Sequence, residues 1–156
     1  MSDVKRVTSV VAAFIVNPVN GKFLMGLRAG KTSSSTGFWS PIGGHQDYSE
    51  TPEQSIAREV KEELGLDLPK ESFVSMGYGN AFYPELDKHF VIIYFAVPLP
   101  KGAVPVITDP PVHSELRWVE IDNLPQPMLA PVTRWLETQS ETLRGYIEYT
   151  MQEASA

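Results

Sequence analysis

The sequence predicts an α/β (α+β) domain in which strands and helices share one core. Three observations carry that expectation. Strand-length runs of Val, Ile, Phe and Ala recur along the chain, at Val7 to Val16, Lys22 to Arg28, Val74 to Ala81 and His89 to Val97. One helix, between Thr51 and Gly65, has both of its ends marked. An amphipathic segment from about residue 128, with Pro131 suited to its first turn, closes the chain as a second helix.

Taken in order, residues 1–6 read as a loosely held terminus. Val7 to Val16 is a buried strand by composition, and Asn17-Pro18-Val19-Asn20-Gly21 is a turn. Lys22 to Arg28 is then the return strand of a hairpin. Arg28 ends it with a fixed charge, suited to bidentate contact with phosphate oxygens or a base, or to plain surface. Ala29 to Gly37 (AGKTSSSTG) reads as a mobile loop. Phe38 to Gly44 (FWSPIGG) is a short strand ending in two glycines, which allow close backbone approach to a metal or phosphate. Trp39 reads as core first and as a base-stacking residue second. His45 suits a phosphate contact and the surface equally.

Asp67 to Phe73 is a connector. The strand His89 to Val97 is almost wholly apolar and is therefore expected at the centre of the sheet. Phe82 to Lys88 (FYPELDK) reads as the loop before it, a usual place for specificity. Phe82 and Tyr83 are candidates for stacking on a base, and His89 for a phosphate contact. Pro98 to Pro111 is a proline-rich loop or edge. His113 to Val119 starts another strand, and Ile121 to Pro125 leads to the last helix. There Val132, Trp135, Leu136 and Leu143 form its apolar side, and residues after about Thr150 are expected to fray.

The chemistry concentrates in Gly44 to Leu66, GHQDYSETPEQSIAREVKEELGL. Thr51 and Gln54 form a capping box, Pro52 suits the first helical position and Gly65 stops the helix. Ile56, Val60 and Leu64 make an apolar stripe. Glu59, Glu62 and Glu63, at i, i+3 and i+4, crowd their carboxylates on a neighbouring stripe. Like charges at that spacing repel, unless a hard cation such as Mg²⁺ sits among them. A solvated acidic face, partly neutralised by Arg58 and Lys61, is the plainer reading of the glutamates alone. The full spacing, Gly-x5-Glu-x7-Arg-Glu-apolar-x-Glu-Glu-x-Gly-apolar, tips the balance: by chance it arises on the order of 10⁻⁹ times per start position.

That spacing resembles the Nudix box. The resemblance implies an α/β/α sandwich with a mixed, curved sheet between helices. It also implies Mg²⁺-dependent hydrolysis of a nucleoside diphosphate linked to a group X, with Mn²⁺ as a substitute. Glu59 and Glu63, one turn apart, are the best pair of metal ligands. Glu62 shares their side, Glu50 reaches the same ions through water, and the Gly43 carbonyl is a further ligand by resemblance. Arg58 orients a box glutamate, and Glu59 or Glu62 takes the proton from water. Glu115, ahead of an apolar-x-Trp pattern, is a metal ligand from outside the helix or a surface ion pair. Arg28, Trp39, Gly44, His45, Phe82, Tyr83 and His89 are the candidate substrate contacts.

The short chain and the Gly-Gly-His start resemble the MutT-like enzymes, which convert nucleoside triphosphates to monophosphate and pyrophosphate. ADP-ribose or nucleotide-sugar hydrolysis is the alternative, dinucleoside polyphosphates come next, and a non-catalytic nucleotide-binding regulatory module is the non-enzyme reading. Composition limits the partners. The chain has 156 residues, enough for one domain, with 42% hydrophobic and 21% charged residues. Its net charge of −6 and lack of a basic patch argue against a nucleic-acid polymer. It has no cysteine, which excludes thiolate chemistry, and no apolar run of membrane-spanning length. A small nucleotide substrate, no membrane, a cytoplasmic location and, because Nudix domains are often dimers, a homodimer are the corresponding expectations.

Overall fold

The computed structural model describes residues 4–30, 35–108 and 111–156. Among these, the elements run β1 (Val7–Val16), β2 (Phe23–Arg28), β3 (Trp39–Ser40), β4 (Ile42–His45), α1 (Pro52–Leu64), β5 (Val74–Tyr83), β6 (Lys88–Pro98), β7 (His113–Val119) and α2 (Ala130–Ser155). The strands form one mixed sheet along the path β3-β2-β1-β6-β5, with β4 on β1 and β7 on β2. β1 and β6 run parallel, in register from Val7↔His89 to Val16↔Pro98. These two most apolar strands are central, as strands covered on both faces must be.

Alternation along β1 assigns its two faces. Ala12, Phe14 and Val16 join Trp135, Leu136, Leu143 and Ile147 of α2 in one apolar cluster. Val11, Ala13 and Ile15 join Ile56, Val60 and Leu64 of α1 in another. The sheet therefore lies between the helices, as the resemblance implied. Each of Ile56, Val60 and Leu64 is fully buried, a gain of about 1.5–3 kcal/mol apiece.

α1 has the ends its sequence encodes. The Thr51 hydroxyl accepts from Gln54 N at 3.2 Å, and Gln54 Oε1 accepts from Thr51 N at 2.8 Å. Gly65 closes the helix at φ +68°, a conformation costly for residues with a Cβ. The segment after β6 then serves the helix end: Val106 N donates to the Leu64 carbonyl at 3.0 Å, and the Thr108 hydroxyl donates to the Glu62 and Glu63 carbonyls. These carbonyls would otherwise lack helical partners.

Several expectations need correction. The β1–β2 hairpin exists, but its registered pairing is Val16↔Phe23 beside the turn; β2 spends its length on β7 and β3. Phe82 and Tyr83 belong to β5, and the loop before β6 shrinks to a 3-10 turn at Pro84–Leu86. α2 does not fray at Thr150 but runs to Ser155. Its last turns pack on the β1–β2 turn, where a Cβ on Gly21 would stand 2.7 Å from Met151 Sδ. Residues 1–3, 31–34 and 109–110, which fall in the expected N-terminus and two loops, lie outside the described residues. Among the described residues no helix is long and apolar enough to cross a membrane.

Candidate active site

β4 pairs antiparallel with β1, from Val10↔His45 to Ala13↔Ile42. This holds Gly43 and Gly44 beside α1. Arg58 gathers the nearby carboxylates. Its Nε donates to Glu50 Oε2 and its Nη2 to Glu50 Oε1, both at 2.9 Å. Nη1 donates to Glu59 at 3.0 Å and Glu62 at 3.3 Å, while Nη2 also reaches the His45 carbonyl at 3.1 Å and Asp47 at 3.3 Å. Ser55 Oγ adds a 2.7 Å bond to Glu50. Arg58, then Ser55, hold the Glu50 carboxyl down to about 2. Glu50 in turn raises the Arg58 pKa. A fork grips both oxygens of Glu50 and cross-links the loop before α1 to its middle turn.

Glu59, Glu62 and Glu63 differ sharply in surroundings. The Glu62 side chain is 59% exposed, that of Glu59 14% and that of Glu63 5%. Burial, followed by the charge of Glu63, raises the Glu59 pKa, against the pull of Arg58. Glu63 Oε2 is buried without a hydrogen-bond partner among the described residues. Its neighbour is His113 Nε2 at 3.5 Å, just outside hydrogen-bonding reach. The His113 ring is itself pressed on β2, where a Cβ on Gly26 would meet it at 2.2 Å.

Sequence reasoning passed over His113 and weighed Glu115, on the same strand, as a metal ligand or a surface ion pair. A register shift between Leu27 and Arg28 explains the exchange: Glu115 opposes Leu27, whereas His113 opposes Arg28. Such a bulge re-aims side chains in a way strict alternation does not foresee. His113 points inward to Glu63. Glu115 is exposed and pairs with Arg117 at 3.0 Å, the surface ion pair of the two readings.

As they stand, no three of these carboxylates and imidazoles converge to hold an ion among the described residues, because Arg58 stands within the set. The donors nevertheless suit a hard divalent cation. They are all oxygen, Glu63 is buried and repels the half-buried Glu59 beside it, and one oxygen of Glu63 is unpaired. Gly44 is part of the fit: a Cβ there would lie 2.5 Å from the Glu59 carboxyl carbon. On Gly43 it would lie 1.9 Å from the Val11 carbonyl oxygen.

A cavity of about 290 Å³ opens on the α2 side of the sheet, with Gly43, Gly44 and His45 on its wall. Of the candidate substrate contacts, Arg28, Gly44, His45 and Tyr83 line it. Arg28 Nε donates to Ser35 Oγ at 3.3 Å, and Tyr83 packs edge-on against Phe90 at 6.0 Å. Three others do not join them. Trp39 is core, with its ring under the Arg117 guanidinium at 4.3 Å. Phe82 and His89 pack on each other at 4.3 Å and line a separate hollow with Lys5 and Arg6. Since Phe82 and Tyr83 are successive strand residues, they point to opposite faces and only one can reach the cavity. Lys88, Phe90, Tyr94 and Pro131 line it too; the sequence offered an apolar strand and a helix start, not the fact that they meet.

A model of the NUDIX domain family matches residues 6–138. The chain is 31% identical over 102 residues to the NAD-capped RNA hydrolase NudC of Stutzerimonas stutzeri (strain A1501), covering 64% of this chain and 34% of that relative. It is 29% identical over 93 residues to the 8-oxo-dGTP diphosphatase of Proteus vulgaris, covering 60% of this chain and 78% of that relative. The crystal structure of the MutT NUDIX hydrolase from Burkholderia pseudomallei is similar at TM-score 0.74 and 27% identity, over 85% of this chain and 97% of that one. The chain spans about a third of the length of the NudC relative and of the Xenopus laevis m7GpppN-mRNA hydrolase NUDT17, which it also matches.

Proposed function

The chain belongs to the Nudix family of hydrolases, and we propose that it cleaves nucleoside triphosphates to a monophosphate and pyrophosphate, with Mg²⁺ or, in its place, Mn²⁺. The observation that carries this reading is the size and position of the cavity. At about 290 Å³ it sits at the small end of ligand pockets, which run from about 300 to 1,000 Å³. That suits one nucleoside. Its wall at Gly44 backs onto the Glu59 carboxylate, so a nucleoside inside would direct its phosphates toward the box.

Glu59 and Glu63, with the Gly43 carbonyl, would hold the cation. When bound, it supplies charge neutralisation on the phosphates and acidification of a water. The water oxygen bonds to phosphorus, a bridging P–O bond breaks, and the water loses a proton. Glu62, the most exposed of the three glutamates, takes that proton. Arg58 positions Glu50, Glu59 and Glu62 rather than touching substrate. Arg28 and His45 meet phosphate oxygens, and Tyr83 packs against the base.

A second reading, a diphosphate that links a nucleoside to a sugar or to a second nucleoside, as in ADP-ribose, a sugar nucleotide or the NAD cap in the name of one relative, draws on the second hollow. Lys88 lines both it and the main cavity. Product analysis decides. The chain is incubated with Mg²⁺ and normal or oxidised nucleoside triphosphates, ADP-ribose, sugar nucleotides and NAD-capped RNA. Pyrophosphate from a triphosphate supports the first reading, and turnover of ADP-ribose, a sugar nucleotide or NAD-capped RNA alone favours the second. Binding without turnover of any of them points to a regulatory module.

A further inference from the structure

Tyr94 of β6 is fully buried, lines the cavity, and has a hydroxyl with no hydrogen-bond partner among the described residues. Buried hydroxyls are nearly always paired, because an unmade bond there is not replaced by water. The ring is also held firmly. It stacks on Trp135 at 4.4 Å and 27°, and lies over Phe14 at 6.0 Å and 21°. Burial, helped by Tyr83 and opposed by Arg134, pushes its pKa upward. The hydroxyl therefore keeps its hydrogen at ordinary pH and can donate it. Trp135 Nε1 is unpartnered too, but Trp135 is not among the residues of the cavity wall.

The other polar side chains of the wall divide in two. Arg28, His45 and Lys88 are cationic or can become so, and suit phosphates. Ser35, Ser40 and Tyr83 bring further hydroxyls, and no carboxylate or carboxamide lines the cavity among the described residues. Those absent types are the ones that accept paired N–H groups such as the N1–H and N2–H of guanine. Base selection is left to hydroxyls on an apolar, aromatic wall.

We propose that Tyr94 determines base specificity, its hydroxyl giving its hydrogen to a ring nitrogen or exocyclic oxygen on the inner edge of the nucleobase. This rests on the triphosphate reading of the same cavity. A site with a buried polar group waiting for one substrate atom discriminates against ligands that leave it unpaired.

The test is Tyr94→Phe, which removes one oxygen and keeps the ring. In urea unfolding without ligand, the variant is expected to be as stable as the wild type or more so. A clearly less stable variant would mean that the hydroxyl has an internal partner, and would overturn the proposal. Calorimetry with Ca²⁺ in place of Mg²⁺ then gives Kd for ATP, GTP, CTP, UTP and inorganic triphosphate. The tightest nucleotide should bind about tenfold more weakly to the variant, the four nucleotides should converge, and inorganic triphosphate should bind unchanged. Unaltered nucleotide affinities, or an equal loss for inorganic triphosphate, would also overturn it. If the wild type binds inorganic triphosphate but no nucleotide, Tyr94 has no base to read. If it binds neither, the triphosphate reading itself falls and this proposal with it, while the unfolding result still reports whether the hydroxyl is unpaired.

Discussion

Val11 and Ala12 are neighbours on β1, yet they look onto different chemistry. On the Val11 side lies α1, with Arg58 among Asp47, Glu50, Glu59 and Glu62, and Glu63 buried against His113. On the Ala12 side lies a cavity whose inner wall is aromatic and whose buried Tyr94 hydroxyl is unpaired. The first region comes mostly from one helix and the loop before it, and is tied together by short ion pairs. The second is assembled from β1, β2, β3, β4, β5, β6 and the first turn of α2. A reaction centre built locally can stay constant while a pocket built from many elements is altered residue by residue. The two meet at Gly43 and Gly44, where the absence of side chains leaves the sheet thin.

That division can be broken most directly at Glu63. Glu63→Gln is expected to keep the fold, since a neutral isostere fills the same buried space, and to lower Mg²⁺-dependent turnover at least about 100-fold. Circular dichroism with steady-state kinetics checks both, and near-normal turnover would move the reaction centre away from α1. Gly44→Ala tests the meeting point. Its Cβ would stand 2.5 Å from the Glu59 carboxyl carbon, so Glu59 must shift. We expect kcat to fall about 10- to 100-fold with little change in urea midpoint; an unchanged kcat would show that the position of Glu59 is not critical.

On the cavity side, Tyr83→Ala should raise KM about tenfold for the preferred nucleotide, through a lost aromatic contact. Phe82→Ala, one residue away but facing the other hollow, should leave KM within about twofold. Equal effects would mean that the two hollows act as one site, and would favour a diphosphate with a sugar or second nucleoside in the other hollow. The subtlest test is electrostatic. The Glu50 carboxyl is lowered from 4.5 to about 2 in the folded chain. A depressed carboxyl stabilises the fold above its unfolded pKa, and that contribution is lost as pH falls through the folded value. Glu50→Gln should therefore unfold at lower urea than the wild type at pH 7. The gap should close as pH falls from 4.5 to about 2; a gap independent of pH would show that Arg58 does not stabilise a charged Glu50.

Different parts of the site were legible to different degrees. The spacing of Glu59, Glu62 and Glu63 was readable because residues three and four apart on a helix are neighbours wherever the helix packs. Arg28, His45 and Tyr83, named from the sequence as candidate substrate contacts, all line the cavity, since each ends a strand or lies beside the glycine turn. Trp39 is core, the first of its two readings, and does not reach the cavity. Phe82 and His89 were misplaced because a loop was expected where β5 continues, so the alternation that separates Phe82 from Tyr83 went unused. Glu115 and His113 exchanged roles through a bulge that no pattern within β7 announces.

The sequence by itself determined the caps of α1, its apolar stripe, the central place of the β6 run and the crowding of carboxylates on one turn. All of these depend on interactions within a few residues, or on the burial that a continuous apolar run demands. Only the tertiary structure decided how exposed each glutamate is, that Arg58 grips Glu50 with both nitrogens of its fork, that His113 faces Glu63, and that Tyr94 ends unpaired beside a cavity. Those facts depend on sheet order, register and one bulge. They bring together residues such as Glu63 and His113, or Gly43 and Tyr94 on either side of Ala12, whose separation along the chain holds no trace of their contact.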